Sequence, residues 1–171
     1  MSAIDVRLAQ EVDAEMMAAI YVAAARQAWG HIYGDSELRS VRPPVDRFRA
    51  EIASADPRQH VLVAARGERV IAFAVVRPSE DADTDSSRVG ELDSFYSHPS
   101  VWGEGIGREL LASAVETLRH SGFAEATLWT SVDNDRPRRI YEAAGWALDG
   151  TTREKPWRGS SFRELRYRIQ L

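Results

Sequence analysis

Ile4, Val6 and Leu8 alternate with polar neighbours, the period-two signature of a half-buried strand. From Glu11 the apolar positions change to three- and four-residue spacings: Val12, Met16, Ala19, Ile20, Ala23 and Ala24 form one stripe. This predicts a helix to about Trp29, broken by Gly30 and Gly34. Pro43 and Pro44 open a second, short helix with Val45, Phe48 and Ile52 inward, ending before Pro57. Two apolar runs, 61–65 and 70–76, flank Arg66-Gly67-Glu68-Arg69 and read as a hairpin. Their nearly continuous hydrophobicity predicts cover on both faces, one face by the first helices.

The second half alternates strand and helix. Residues 91–97 form a strand that Pro99 ends, and Gly105 to about His120 form a helix with Ile106, Leu110, Leu111, Ala114, Val115 and Leu118 buried, stopped at Gly122. Residues 126–132 form a strand parallel to the previous one, because a helix intervenes. A helix follows from Asp135 to Ala144, with Pro137 tolerated in its first turn and Gly145 at its end. A strand starts at Trp146, residues 156–159 turn, and 162–171 form the last strand, with Arg163, Arg166 and Arg168 on its outer face. The order is β-α-α-β-β-β-α-β-α-β-β, an α/β (mixed α+β) fold with a central, mostly antiparallel sheet flanked by helices.

Length and composition narrow the function classes. A chain of 171 residues is expected to form one domain, 1–171. Cysteine is absent, which excludes a disulfide framework, a thiol nucleophile and cysteine-ligated metal. The formal charge of −4 argues against nucleic acid as the main partner. No apolar run approaches the roughly 20 residues of a membrane span and no leader pattern opens the chain, so a cytoplasmic protein is expected. The acidic stretch 79–87 reads as an exposed loop.

The chemistry concentrates at Trp102-Gly103-Glu104-Gly105-Ile106-Gly107-Arg108, between a strand and a helix. Glycines there let the backbone bend and present bare amides at a helix N-terminus, which suits phosphate. A triphosphate loop needs a lysine after its last glycine, and none follows Gly107. A dinucleotide loop needs Gly-x-Gly-x-x-Gly, whereas these glycines are spaced by twos.

Residues 95–108 resemble the main coenzyme motif of the GNAT N-acetyltransferase superfamily, with Trp102 where that family usually has glutamine or arginine. Downstream, Asn134-x-Arg136-Pro137-x-x-x-Tyr141-Glu142-x-x-Gly145-Trp146 resembles its Asn-x-x-Ala-x-x-x-Tyr-Glu-x-x-Gly-Phe segment, with Pro137 replacing the small residue. The resemblance implies a GNAT-like fold, acetyl-CoA as co-substrate and no metal. It also implies a small-molecule or peptide amine as acceptor, no membrane partner, and an assembly that a homodimer would fit. The backbone of Phe95, Tyr96 and Ser97 would meet the pantetheine arm, and the amides of Gly103, Glu104, Gly105, Ile106, Gly107 and Arg108 the pyrophosphate. Asn134 would bond the coenzyme arm, or cap its helix, or both. Arg136, Arg138 and Arg139 either reach the adenosine phosphate or form a solvated helix face.

Tyr141 resembles the general acid that protonates the departing thiolate; the bland reading is a tyrosine packed on the sheet. Glu91 and Asp93 share a strand face by parity and are expected as the base, as a site for a cationic substrate, or as a solvated edge. Trp29 and Tyr33 either line the acceptor pocket or plug the core. Two function classes fit these residues: an N-acetyltransferase working by direct transfer, and a non-catalytic acyl-CoA sensor.

Overall fold

The computed structural model describes residues 4–33, 42–157 and 160–171. Its strands are β1 (Ile4–Leu8), β2 (His60–Arg66), β3 (Arg69–Pro78), β4 (Val89–Ser97), β5 (Glu125–Ser131), β6 (Ala147–Trp157) and β7 (Ser160–Gln170). The helices are α1 (Ala14–Tyr33), α2 (Val45–Ile52), α3 (Ile106–His120) and α4 (Asp135–Ala143). Their order along the chain matches the sequence expectation. The seven strands form one sheet in the order β1-β2-β3-β4-β5-β7-β6, antiparallel except where β5 lies parallel to β4. Among the described residues no helix is long and apolar enough to cross a membrane.

Alternation along β2 and β3 splits the core into two layers. Leu62, Ala64, Ala72 and Ala74 face α3, where Leu110, Leu111, Ala114 and Leu118 are fully or almost fully buried. Val61, Val63, Phe73 and Val75 face Met17 and Ile20 of α1 and Phe48 of α2. Both faces of the hairpin are therefore covered, which is why its strands are apolar nearly throughout.

Four expectations are corrected. Helix α1 continues through Gly30 to Tyr33, because glycine weakens a helix by about 1 kcal/mol relative to alanine without ending it. Its buried face carries Ala14, Met17, Ala18, Ile20, Val22 and Ala24, while Val12 and Met16 are exposed. In so alanine-rich a segment periodicity hardly selects a face, and packing against Phe48 and Phe73 decides it. Pro156 and Trp157 belong to β6 rather than to a turn. Strand β6 is an edge, where a missing N–H removes no necessary ladder bond.

The fourth correction concerns the basic end of the chain. Strand β7 lies inside the sheet, and Arg166 is only 3% exposed. Its guanidinium donates to Asp83 at 2.7 Å through two nitrogens, to Asp149 at 2.7 Å and to Asp81 at 3.1 Å. The acidic stretch is thereby tied down across β5, β6 and β7. Side chains of Trp29 and Tyr33 lie outside the described residues.

Where β4 and β5 pair, Gly90 leaves no room for a side chain: an added Cβ would stand 2.5 Å from Leu118 Cδ2 and 2.8 Å from Phe123 Cδ2. Gly90→Ala is expected to destabilise the protein by about 1–3 kcal/mol through overpacking. Urea denaturation with an unchanged slope would report it as a lowered midpoint, and an unchanged midpoint would show that Leu118 and Phe123 yield freely.

Candidate active site

Strands β4 and β5 share three residue pairs, Val89 with Glu125, Gly90 with Ala126 and Glu91 with Thr127. Beyond Glu91 the strands part. The parting opens a cleft of about 1080 Å³ lined by β4 on one side and by β5 and α4 on the other, with the glycine turn at its end. Strand β4 keeps its antiparallel partners on β3 as far as Ser97, so residues 92–97, Asp93 apart, have ladder partners on one side and none on β5.

A bulge in β4 sets which side chains enter the cleft. Val75 pairs with Ser94 and Val76 with Leu92, leaving Asp93 as the extra residue. Leu92 and Phe95, three apart, consequently both pack on the α3 layer, while Asp93 and Ser94 both meet Arg47 of α2, at 3.2 and 3.3 Å. Tyr96 returns to the α1 layer, stacked on Phe73 with ring centroids 5.5 Å apart.

The glycine turn is built as a cradle of amides. Gly103 and Gly105 have φ of 94° and 89°, a region costly for residues with a Cβ. The Glu104 amide donates to the Val101 carbonyl at 3.3 Å and that of Arg108 to Gly105 at 2.9 Å. The amides of Gly103, Gly105, Ile106 and Gly107 have no protein acceptor among the described residues. Gly107 faces Phe95 and Ile140, which would lie 3.7 and 3.6 Å from an added Cβ. The Glu104 side chain turns to Arg66.

Trp102 has a role that sequence reasoning missed. Its indole N–H donates to the Ser97 carbonyl at 3.1 Å, tying the turn to the end of β4. The Arg136 guanidinium lies 4.8 Å from its ring centroid, a cation–π contact. Arg108, Arg136 and Arg139 line the cleft. Arg138 instead turns to the sheet, donating to Tyr167 Oη at 3.1 Å and to the Val132 carbonyl at 2.9 Å. Asn134 sits at the N-terminus of α4 without a side-chain capping bond; its amide donates to Thr130 Oγ1 at 3.3 Å, and the residue lines the cleft.

Tyr141 lines the same cleft, 5% exposed, with its ring 5.8 Å from Phe95 and 6.0 Å from Tyr167. Burial pushes its hydroxyl above the ordinary phenol range, so it is protonated at neutral pH. The structure thus brings Tyr141, the amide cradle and the free side of β4 to one cleft.

The two carboxylates of β4 are placed differently. Asp93 lines the cleft and accepts from Arg77 at 2.7 Å and Arg47 at 3.2 Å. Glu91 is buried behind that wall, 3.8 Å from the same Arg77 nitrogen. Burial, reinforced by the Asp93 charge and opposed by Arg77, pushes its carboxyl up to about 7. Glu51 of α2, bonded to Arg47 at 2.8 Å, is also raised by burial. None of these arginines was legible as a site residue, since Arg47 and Arg77 are far apart in sequence and carry no motif.

Comparison with known proteins agrees with this geometry. Residues 17–146 match the model of the acetyltransferase (GNAT) family. The chain is 32% identical over 105 residues to aminoglycoside N(6')-acetyltransferase type 1 of Stenotrophomonas maltophilia, covering 60% of this chain and 68% of that protein. It is 31% identical over 137 residues to the mycothiol acetyltransferase of Kocuria rhizophila, covering 72% of this chain but 44% of that protein, so it spans less than half of that relative's length.

Solved structures share the fold at low identity. The PaiA N-acetyltransferase of Thermoplasma acidophilum, in complex with coenzyme A, superposes with a TM-score of 0.77 at 19% identity, covering 99% of each chain. The ribosomal-protein-alanine N-acetyltransferase of Brucella melitensis gives 0.76 at 24% identity, covering 98% of this chain and 99% of that one. Matched along residues 17–146 and built around a parted β4/β5 pair, the chain belongs to the GNAT acetyltransferase family.

Proposed function

We propose that the chain is an acetyl-CoA-dependent N-acetyltransferase, acting as one domain and moving the acetyl group directly to a primary amine of a small molecule or peptide. The observation that carries this reading is the convergence of three features on one cleft: the unpaired side of β4, four amides of the glycine turn and first turn of α3 without an acceptor among the described residues, and the protonated Tyr141 hydroxyl. The names of the aminoglycoside and mycothiol acetyltransferases, and the coenzyme A bound to the PaiA neighbour, support it.

The residues fit the co-substrate. The amides of Gly103, Gly105, Ile106 and Gly107 suit a pyrophosphate, with Arg108, Arg136 and Arg139 adding positive charge. The free backbone groups of Phe95 to Ser97 suit the amide-bearing pantetheine arm, as they would another strand. Asn134 stands on the facing wall to meet the same arm.

The chemistry then needs three proton transfers. The amine arrives as an ammonium, and its proton passes through water to a carboxylate; Glu91, held near 7, has the basicity for that task at neutral pH. Asp93, fixed by two arginines at the cleft wall, raises Glu91 by its charge. The amine nitrogen attacks the thioester carbonyl carbon, the carbon–sulfur bond breaks, the departing sulfur takes the Tyr141 proton, and the second proton that the nitrogen sheds as the amide forms restores the Tyr141 hydroxyl. Holding amine and thioester together supplies much of the acceleration, on the order of 7 kcal/mol or more.

Tyr141→Phe is expected to lower kcat by about 100-fold with little change in the KM for acetyl-CoA, measured as free thiol released on turnover. Full activity in that variant, with acetyl-CoA still bound, would favour the non-catalytic sensor. Below about pH 7 Glu91 is protonated and cannot accept a proton, so kcat/KM is expected to rise with pH through that value. Glu91→Gln should remove this limb, and its survival there would take the base role from Glu91.

The same shift bears on stability. Unfolded, Glu91 titrates near 4.5, so between that value and about 7 the folded protein holds the extra proton. Stability is therefore expected to fall as pH rises through that window, with a shallower fall in Glu91→Gln, as read from urea midpoints at pH 5 and 8.

A further inference from the structure

Arg108, Arg136 and Arg139 belong to the glycine-turn and α4 part of the cleft, but its opposite part, walled by α1, α2, β4 and the ends of β6 and β7, carries charges that this assignment leaves unused. Two carboxylates line that part, and each already has its shortest ion pair with an arginine. Asp93 accepts from Arg77 at 2.7 Å and Arg47 at 3.2 Å, and Glu164 from Arg153 at 2.6 Å with Lys155 at 3.6 Å. An acceptor with several ammonium groups would find both carboxylates of this wall already paired; the other carboxylates that line the cleft, Asp133 and Asp135, lie on its β5 and α4 side.

Two cations of this part are less fully committed. Arg42, exposed and just before α2, lines the cleft with no carboxylate partner among the described residues. Lys155, half exposed near the end of β6, is 3.6 Å from a carboxylate whose closer contact is Arg153. Between these elements the wall is aromatic. Tyr21 and Tyr96 meet edge to face at 5.1 Å, and Trp129 is held by its N–H to Asp81 at 3.0 Å.

Resting on the transferase reading above, we infer that the acceptor is an amine that also carries an anionic group, a carboxylate recognised by Arg42 and Lys155, on a body that is largely apolar. A guanidinium matches a carboxylate with two parallel N–H bonds, and an ammonium supplies a second point charge. Inside a cleft such contacts are screened less than on an open surface. The aromatic wall accepts the apolar body, and the one amine stands free to meet the thioester. The acceptor class is amino acids and related carboxylated amines, rather than polyamines or aminoglycosides.

The test uses the full chain with acetyl-CoA and matched acceptors: α- and ω-amino acids, their carboxamides, and an aminoglycoside, with thiol release as the readout. The carboxylates are expected to exceed their carboxamides by about tenfold or more in kcat/KM, as for one charge-assisted contact. In Arg42→Ala and Lys155→Gln the KM for the carboxylated amine should rise by a similar factor while the KM for acetyl-CoA stays constant, and Arg42→Lys should restore part of the loss. Equal or better use of carboxamides or the aminoglycoside overturns this inference and leaves the transferase standing. A carboxylate preference that survives both variants also overturns it. No turnover with any acceptor, despite bound acetyl-CoA, overturns the transferase reading and this inference with it.

Discussion

The parting of β4 from β5 is the constraint on which the site depends. Backbone N–H and C=O groups must find partners, and along residues 92–97 the β5 side of β4 offers unused ones. The two strands cannot simply close on each other, because each is held by its outer neighbour: β4 by β3 as far as Ser97, and β5 by β7 over its whole length. The wedge is therefore part of the sheet and not a loop that waits for a ligand. At its end the Trp102 indole ties the glycine turn to Ser97, so the amide cradle keeps its position relative to the free side of β4.

The bulge at Asp93 gives the wedge its chemistry. A regular strand would put Asp93 and Phe95 on one face; the extra residue sends Phe95 to the Tyr141 side and turns Asp93 and Ser94 together toward Arg47. Hydrophobic contact with Tyr141 and ionic contact with α2 thus originate from adjacent positions on one strand. Glu91, two residues earlier, is left buried beside a like charge, which is why its carboxyl stays near 7.

A second ionic centre does its work by positioning. The buried Arg166 guanidinium joins Asp81, Asp83 and Asp149, and Asp81 in turn accepts from the Trp129 indole. Buried ion pairs add little net stability once desolvation is counted. Here they anchor the 79–88 loop against three strands and hold Trp129, a wall of the cleft, from behind.

The linear chain by itself determined the order of elements, the two-sided burial of the hairpin and the place of the amide cradle. Each follows from local chemistry: alternation, three-to-four spacing, and glycines where φ must be positive, as at Gly103 and Gly105. Tyr141 and Asn134 were picked out by the resemblance of one short helical motif to a family segment, and the structure places both along the cleft. Tertiary structure decided what no local rule contains. The buried face of α1 was set by Phe48 and Phe73, the tolerance of Pro156 by an edge position, and the burial of Arg166 by the place of β7 inside the sheet. The ring of charges around Asp93 and Glu164 was likewise hidden, since its members come from α2, β3, β4, β6 and β7 and meet only when the sheet forms. Charge pairing between distant segments leaves no periodic trace in a sequence, and that pairing is what distinguishes the end of the cleft walled by α1 and α2 from the end that the glycines announce.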